Sequence, residues 1–432
     1  MPSSRWFAAS FALVLCLMLV SEVARPDAAS VPRTSLPQDR EGFGEPLPDL
    51  TDEQRARFEA GKQAFERVFT PRTGLGAVFN AQSCAECHAQ PATGGAHETI
   101  TITRFRTPLS LNFAAGLVTQ ASGSPHIQRR SVAEEFPAQV PGCDIAPETV
   151  PENTLAKTVR ATPPLFGLGL IEAIPDSTLI ENGHASADRH PDVNGRGADP
   201  SVTGRAGLLF PGGINDLGSL GRLVGRFGAR GFVADIPSFT QGAYRTEMGI
   251  ATPHPLFFLP VRPQGKFAPS ECTPFSGTAV SLAEVRRVVD YMRFLAPPPR
   301  GPITPAVKRG ETVFSDIGCD GCHTPTLETD GNTVAALSYR DVPLYSDLLL
   351  HDMGEALADG APEGLGTSRE WRTTPLWGIG GIAKPLMHDG RAGRDFVRAI
   401  ELHGGEAAGT RSRFDRLPAA DRRALVRFLE SL

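Results

Sequence analysis

Hydrophobic residues recur at helical spacing in two stretches, Leu282-Ala-Glu-Val-Arg-Arg-Val-Val-Asp-Tyr-Met-Arg-Phe-Leu295 and Leu417 through Leu429. Apolar positions fall three or four apart with charged residues between them, so each predicts an amphipathic helix buried along one stripe. Gly61-Lys-Gln-Ala-Phe65 and Gly310-Glu-Thr-Val-Phe314 sit in two further helix-like stretches. A few strands are expected near Thr99–Phe105. The one long apolar run, Phe7 to Val20, follows the basic Arg5. It is short for a spanning helix and predicts a secretory signal over residues 1–29. The expected location is therefore the periplasm, with membrane attachment only if the signal stays uncleaved.

The pattern repeats. Arg160-Ala-Thr-Pro-Pro-Leu-Phe-Gly167 in the first part is matched by Arg372-Thr-Thr-Pro-Leu-Trp-Gly378 in the second. Gly225-Arg226 is matched by Gly390-Arg391, and each unit ends in one of the amphipathic helices. Pro297-Pro298-Pro299 then acts as a stiff linker. The expected domains are 40–299, with insertions, and 300–432. The chain holds 45 Gly and 38 Pro, well above the usual combined share of about 12%. The expected class is mainly α, with short helices and long irregular loops. A net charge of -5 gives no basic footprint for nucleic acid.

Cysteine supplies the chemistry. Cys84-Ala-Glu-Cys87-His88 and Cys319-Asp-Gly-Cys322-His323 both have the C-x-x-C-H spacing of c-type haem attachment. Two thiols three residues apart share one face of a helical turn and can add to the two vinyl groups of one porphyrin. The adjacent His then reaches the iron axially. Zinc could pair two C-x-x-C knuckles but gives no reason for a His after each. A redox dithiol would want a strand–helix setting rather than Gly- and Pro-rich surroundings. The expected cofactors are two covalently bound haems, with His88 and His323 as proximal ligands. Cys16 lies in the signal, so Cys143 and Cys272 remain and are expected to form a disulfide in an oxidising compartment.

From about residue 55 onward the chain resembles the di-haem oxidoreductase family, related to bacterial di-haem cytochrome c peroxidases. The blocks that carry the resemblance include Phe79-Asn-Ala-Gln-Ser-Cys84, Glu370-Trp-Arg-Thr-Thr-Pro-Leu-Trp-Gly378, His388-Asp-Gly-Arg391 and Leu402-His-Gly-Gly-Glu-Ala407. The resemblance implies two cytochrome c-like haem domains. It also implies that the helix after His388-Asp-Gly-Arg391 supplies the distal ligand of the second haem. His403 fills that role here, with Met353 and His351 as rivals. In the first unit the equivalent helix ends at Glu247-Met248-Gly249. The resemblance places Glu247, with Gln241 upstream, on the peroxide side of the reactive haem. Met248 as a thioether ligand is the alternative. Two departures stand out. The peroxidases carry a Trp before their first Asp-Gly-Arg, where this chain has Leu220-Gly-Arg-Leu-Val-Gly225. They also carry an Asn near an interdomain calcium where this chain has Ala161, so calcium stays open.

What the resemblance implies is a di-haem peroxidase-like oxidoreductase. A small periplasmic donor protein would feed electrons to the C-terminal haem. The N-terminal haem would react with hydrogen peroxide or a similar small oxidant. A non-catalytic di-haem electron carrier is the alternative, and a long-range oxidase of a protein substrate is a third reading.

Overall fold

The computed structural model describes residues 33–35, 42–107, 126–185, 204–208, 224–253, 268–275 and 279–432. The expected signal, the acidic, Gly-bearing stretch Pro191–Asp199 (which does not match an EF-hand loop) and Leu220 to Leu223 lie outside these. Among the described residues no helix is long and apolar enough to cross a membrane.

Two helix crossings organise the chain, and both follow from the sequence repeat. Asp52–Glu66 starts at a capping box, in which Thr51 and Gln54 satisfy each other's backbone amides. Leu282–Phe294 starts at a second box, from Ser281 and Glu284. The two helices pack together with Phe58 and Phe65 against the Tyr291 ring, at 5.0 and 5.1 Å. In the second part Pro305–Asp316, capped by Thr304 with Pro305 leading, packs on Ala419–Ser431. There Phe314 meets Phe428 at 5.2 Å. Each crossing turns on a glycine. A Cβ at Gly61 would overlap the Arg287 carbonyl, and one at Gly310 would overlap the Ala424 carbonyl. Only a residue without a side chain lets the backbones approach this closely.

Two hydrophobic cores surround these crossings. The smaller one gathers Val313, Phe314, Tyr345, Phe414, Leu425 and Phe428. The larger one is built on the first crossing but also takes in Leu344, Trp377 and Ile382 from beyond Arg300. The helical share is 37% against 13% strand, and the strands are short. The longest pair is antiparallel, Thr101–Arg106 with Ala156–Ala161, in the register Thr101↔Ala161 to Arg106↔Ala156. Cys143 and Cys272 are joined across a sequence separation of 129 residues.

That strand pair reaches the second part through buried charge. Arg104 contacts Glu363 at 3.0 Å, and Arg160 contacts Glu363 at 2.9 Å and Asp359 at 2.7 Å. Arg230 adds a 2.6 Å bond to Asp359. Arg160 and Arg230 also lie over the Trp371 ring, at 4.8 and 4.0 Å from its centroid. Glu363 is 0% exposed. Burial alone would push its carboxyl up, but the three guanidinium groups outweigh that and hold it below the usual carboxylate range.

Candidate haem sites and acid–base site

The two C-x-x-C-H segments are held in matching ways. Ser83 caps the Cys84–Cys87 turn, and Gly318, in a left-handed conformation, opens the Cys319–Gly321 turn. Behind each histidine stands the phenylalanine of the repeated helix: Phe65 is 6.3 Å from the His88 ring, and Phe314 is 6.4 Å from the His323 ring. His88 Nδ1 lies 3.1 Å from Gly95 O, and His323 Nδ1 lies 3.1 Å from Tyr345 O. A carbonyl can only accept, so Nδ1 carries the proton in both rings. Nε2 is left with its lone pair for a metal. Burial lowers the pKa of both; for His323 it falls to about 4. Each ring is therefore neutral at ordinary pH and able to bind a metal through Nε2.

His403 faces His323. It sits just past the Phe396–Glu401 helix, and its Nδ1 donates to Ala399 O at 2.8 Å. Both rings line one cavity, with centroids 6.5 Å apart. Imidazole–metal bonds of ~2 Å on opposite sides of one ion put ring centroids roughly 6 Å apart. Cys319 and Cys322 open into the same cavity. So do three cations, Arg372, Lys384 and Arg394, whose hydrogen bonds go to backbone carbonyls. Burial lowers Arg372 to about 10, and burial with the neighbouring Arg394 lowers Lys384 to about 8. Asp389 and Glu406 also line the cavity, but none of the three cations donates to a carboxylate among the described residues, and cations held in this way suit an anionic ligand. Two facing imidazoles, two thiols and this cationic lining fit a haem with its propionates.

The rivals of His403 are placed differently. His351 is 2% exposed and has both ring nitrogens taken: Nε2 by Asp347 at 2.9 Å and Nδ1 by Glu406 at 2.8 Å. Its donor atom clusters with those of Cys322 and Asp347, but Cys322 belongs to the attachment motif. Met353 lines the cavity. His388 stacks on Trp371 at 4.9 Å and bonds Arg372 O through Nε2, as a structural histidine of the turn would.

The first motif has a carboxylate nearby. Glu247, at the end of the Ile236–Met248 helix, accepts from Asn80 Nδ2 at 2.9 Å and from Thr246 Oγ1 at 3.2 Å. Its third partner is His126 Nδ1. Burial pushes the Glu247 carboxyl up, but His126, Asn80 and Thr246 together hold it below its ordinary range. The charge of Glu247 is felt at Cys87 and His88. Gln241 is not brought to Glu247. Six residues on one helix put the two side chains roughly 120° apart, and the Gln241 Oε1 is buried without a hydrogen-bond partner among the described residues. Met248 is buried in the larger core. His97 Nδ1 accepts from the Thr99 and Ile100 amides at 3.2 Å. The sequence reading missed His126 because it lies in a Gly-Ser-Pro stretch that matches no motif.

Comparisons with known proteins complete the description. Hydrazine synthase from Kuenenia stuttgartiensis is similar at 13% identity over 99% of this chain and 100% of that one, with a TM-score of 0.36. A MauG-like protein associated with microbial copper homeostasis is similar at 16% identity over 95% of each chain, with a TM-score of 0.33. At these scores neither likeness bears on the fold or the chemistry. No curated protein matches the sequence. The family model described as "Di-haem oxidoreductase, putative peroxidase" matches residues 148–432, about two-thirds of the chain. The chain belongs to the di-haem oxidoreductase family.

Proposed function

We propose that this oxidoreductase reduces hydrogen peroxide or a similar small oxidant in the periplasm, with two covalently attached haems in units that break near Arg300. A small donor protein delivers electrons to the C-terminal haem, and they pass to the N-terminal one. The observation that carries the reading is the contrast between the two sites: His403 faces His323, whereas a partly buried carboxylate, Glu247, whose backbone carbonyl takes the Asn80 and Ala81 amides, lies beside the first motif.

Cys84 and Cys87 would hold one haem and Cys319 and Cys322 the other, each through thioether bonds. When bound, haem supplies one-electron chemistry and a site for peroxide. His88 and His323 would bind it through Nε2, oriented by the Gly95 and Tyr345 carbonyls. His403 would close the second site, which suits electron entry. Arg372, Lys384 and Arg394 would balance the propionates of the second haem. Glu247 is ionised at neutral pH, so it can accept the proton of the inner peroxide oxygen and return it to the departing one. Asn80 and Thr246 fix its orientation.

Glu247→Gln keeps the shape and removes the proton cycle. Haem content should stay normal while peroxide turnover falls about 10²–10⁴-fold, the usual worth of a positioned acid–base group. Peroxide affinity should fall less, because only the transition state needs the transfer. Full activity in this variant would overturn the reading.

A further inference from the structure

Reduction of peroxide consumes protons: H2O2 + 2 e⁻ + 2 H⁺ gives 2 H2O. Glu247 moves one proton between the two oxygens and returns to its starting state, so it adds none. Both consumed protons must enter from solvent. The polar partners of the Glu247 carboxylate are Asn80, Thr246 and His126. An amide and a hydroxyl do not exchange a proton near neutral pH; an imidazole does. His126 contacts Glu247 through Nδ1, and its side chain is 18% exposed. Its Nε2 makes no hydrogen bond among the described residues, so this nitrogen is placed to take up a proton while Nδ1 hands one on.

We propose that His126 is the proton-delivery residue of the site, a second catalytic-site group that relays solvent protons to Glu247. This rests on the peroxidase reading. A proton taken up at Nε2 releases the Nδ1 proton to Glu247 Oε1, and the neutral ring returns by tautomer exchange with solvent. Two such relays supply the two protons of one turnover, and the electrons come from the donor protein.

The geometry around the pair is specific. The His126 backbone bridges to Arg104, on the Thr101–Arg106 strand, and the Ile127 amide donates to Thr103 O at 2.9 Å. Asn80 ties the two sides together, giving Nδ2 to Glu247 and taking the Arg129 amide on Oδ1 at 3.1 Å. The charged and titratable groups near the pair are Arg104 and Arg129 on the His126 side and Cys87 and His88 on the Glu247 side. Cys87 loses its titration once it forms a thioether. His88 keeps Nδ1 on Gly95. His126 is therefore the remaining side chain in contact with Glu247 that can pass a proton from one ring nitrogen to the other.

The test compares the loaded wild type with His126→Gln and His126→Ala. In both variants kcat for peroxide should fall at least about tenfold, with KM little changed. Added imidazole should restore His126→Ala, more at pH 6 than at pH 8. Apart from activity, the pH at which the Glu247 carboxyl protonates, read by infrared difference spectroscopy, should rise in His126→Gln. Wild-type kcat in His126→Gln would overturn the proposal. So would a loss in His126→Ala that imidazole does not restore while the haem spectra stay normal. A wild type with both haems and no peroxide turnover would overturn the peroxidase reading and this relay with it. An active wild type alongside an equally active His126→Gln would overturn the relay alone.

Discussion

The two haem-motif regions share one frame and differ in one place. Each has a helix crossing seated on a glycine, Gly61 or Gly310, and a phenylalanine four residues later against the motif histidine. Each histidine gives Nδ1 to a backbone carbonyl at 3.1 Å. The difference lies in what the rest of the chain brings to the site. The second site receives an imidazole, His403, whose own Nδ1 is also committed. The first receives a carboxylate already paired with a histidine. A frame that binds a cofactor can thus be copied along a chain, while the chemistry is set by separate segments that come later in the sequence.

The largest stability effect should come from the charge cluster between the two regions. Glu363→Gln leaves Arg104 and Arg160 facing each other with less compensating charge. Breaking a buried pair in this way costs about 3–5 kcal/mol. Thermal denaturation should show the loss, and an unchanged Tm would mean that the cluster contributes nothing to joining the regions.

Gly310→Val comes next. The added side chain must displace the Ala424 backbone, and overpacking costs typically 1–3 kcal/mol. Gly61→Val should do the same in the first region through Arg287. If only one of the pair destabilises, the shared frame is weaker than the geometry implies.

Acid should weaken the same contacts. Glu363 and Glu247 both have lowered carboxyl pKa values in the folded state. Their stabilising contribution is complete above the ordinary carboxylate range and is lost as pH falls through their folded values. Denaturation midpoints should drop on acidification, and Glu363→Gln should flatten that dependence.

Much of the frame was legible in the sequence because it is local. The two C-x-x-C-H segments are recognisable from their own spacing, and the Gly-to-Phe spacing fixes the register of each crossing. The amphipathic helices appear where their periodicity put them, with the Leu417–Leu429 stretch realised as Ala419–Ser431. The disulfide followed from counting cysteines. Glu247 and His403 came from resemblance to a family, not from periodicity. His126 was not legible, since its partner lies 121 residues away and neither neighbourhood announces the other. The Arg104, Arg160 and Glu363 cluster was hidden for the same reason: charged residues read as solvated surface until a fold buries them together. Gln241 came from the same resemblance, and six residues on one helix turn its side chain roughly 120° away from that of Glu247.

The most direct test is the spin state of each iron in the purified protein, by electron paramagnetic resonance and visible spectroscopy, in the oxidised and half-reduced states. The account predicts one low-spin haem with two nitrogen ligands, lost as such in His403→Ala, and one haem with a high-spin fraction that responds to Glu247→Gln. Two haems that stay wholly low-spin in both states would contradict the account and make the protein an electron carrier.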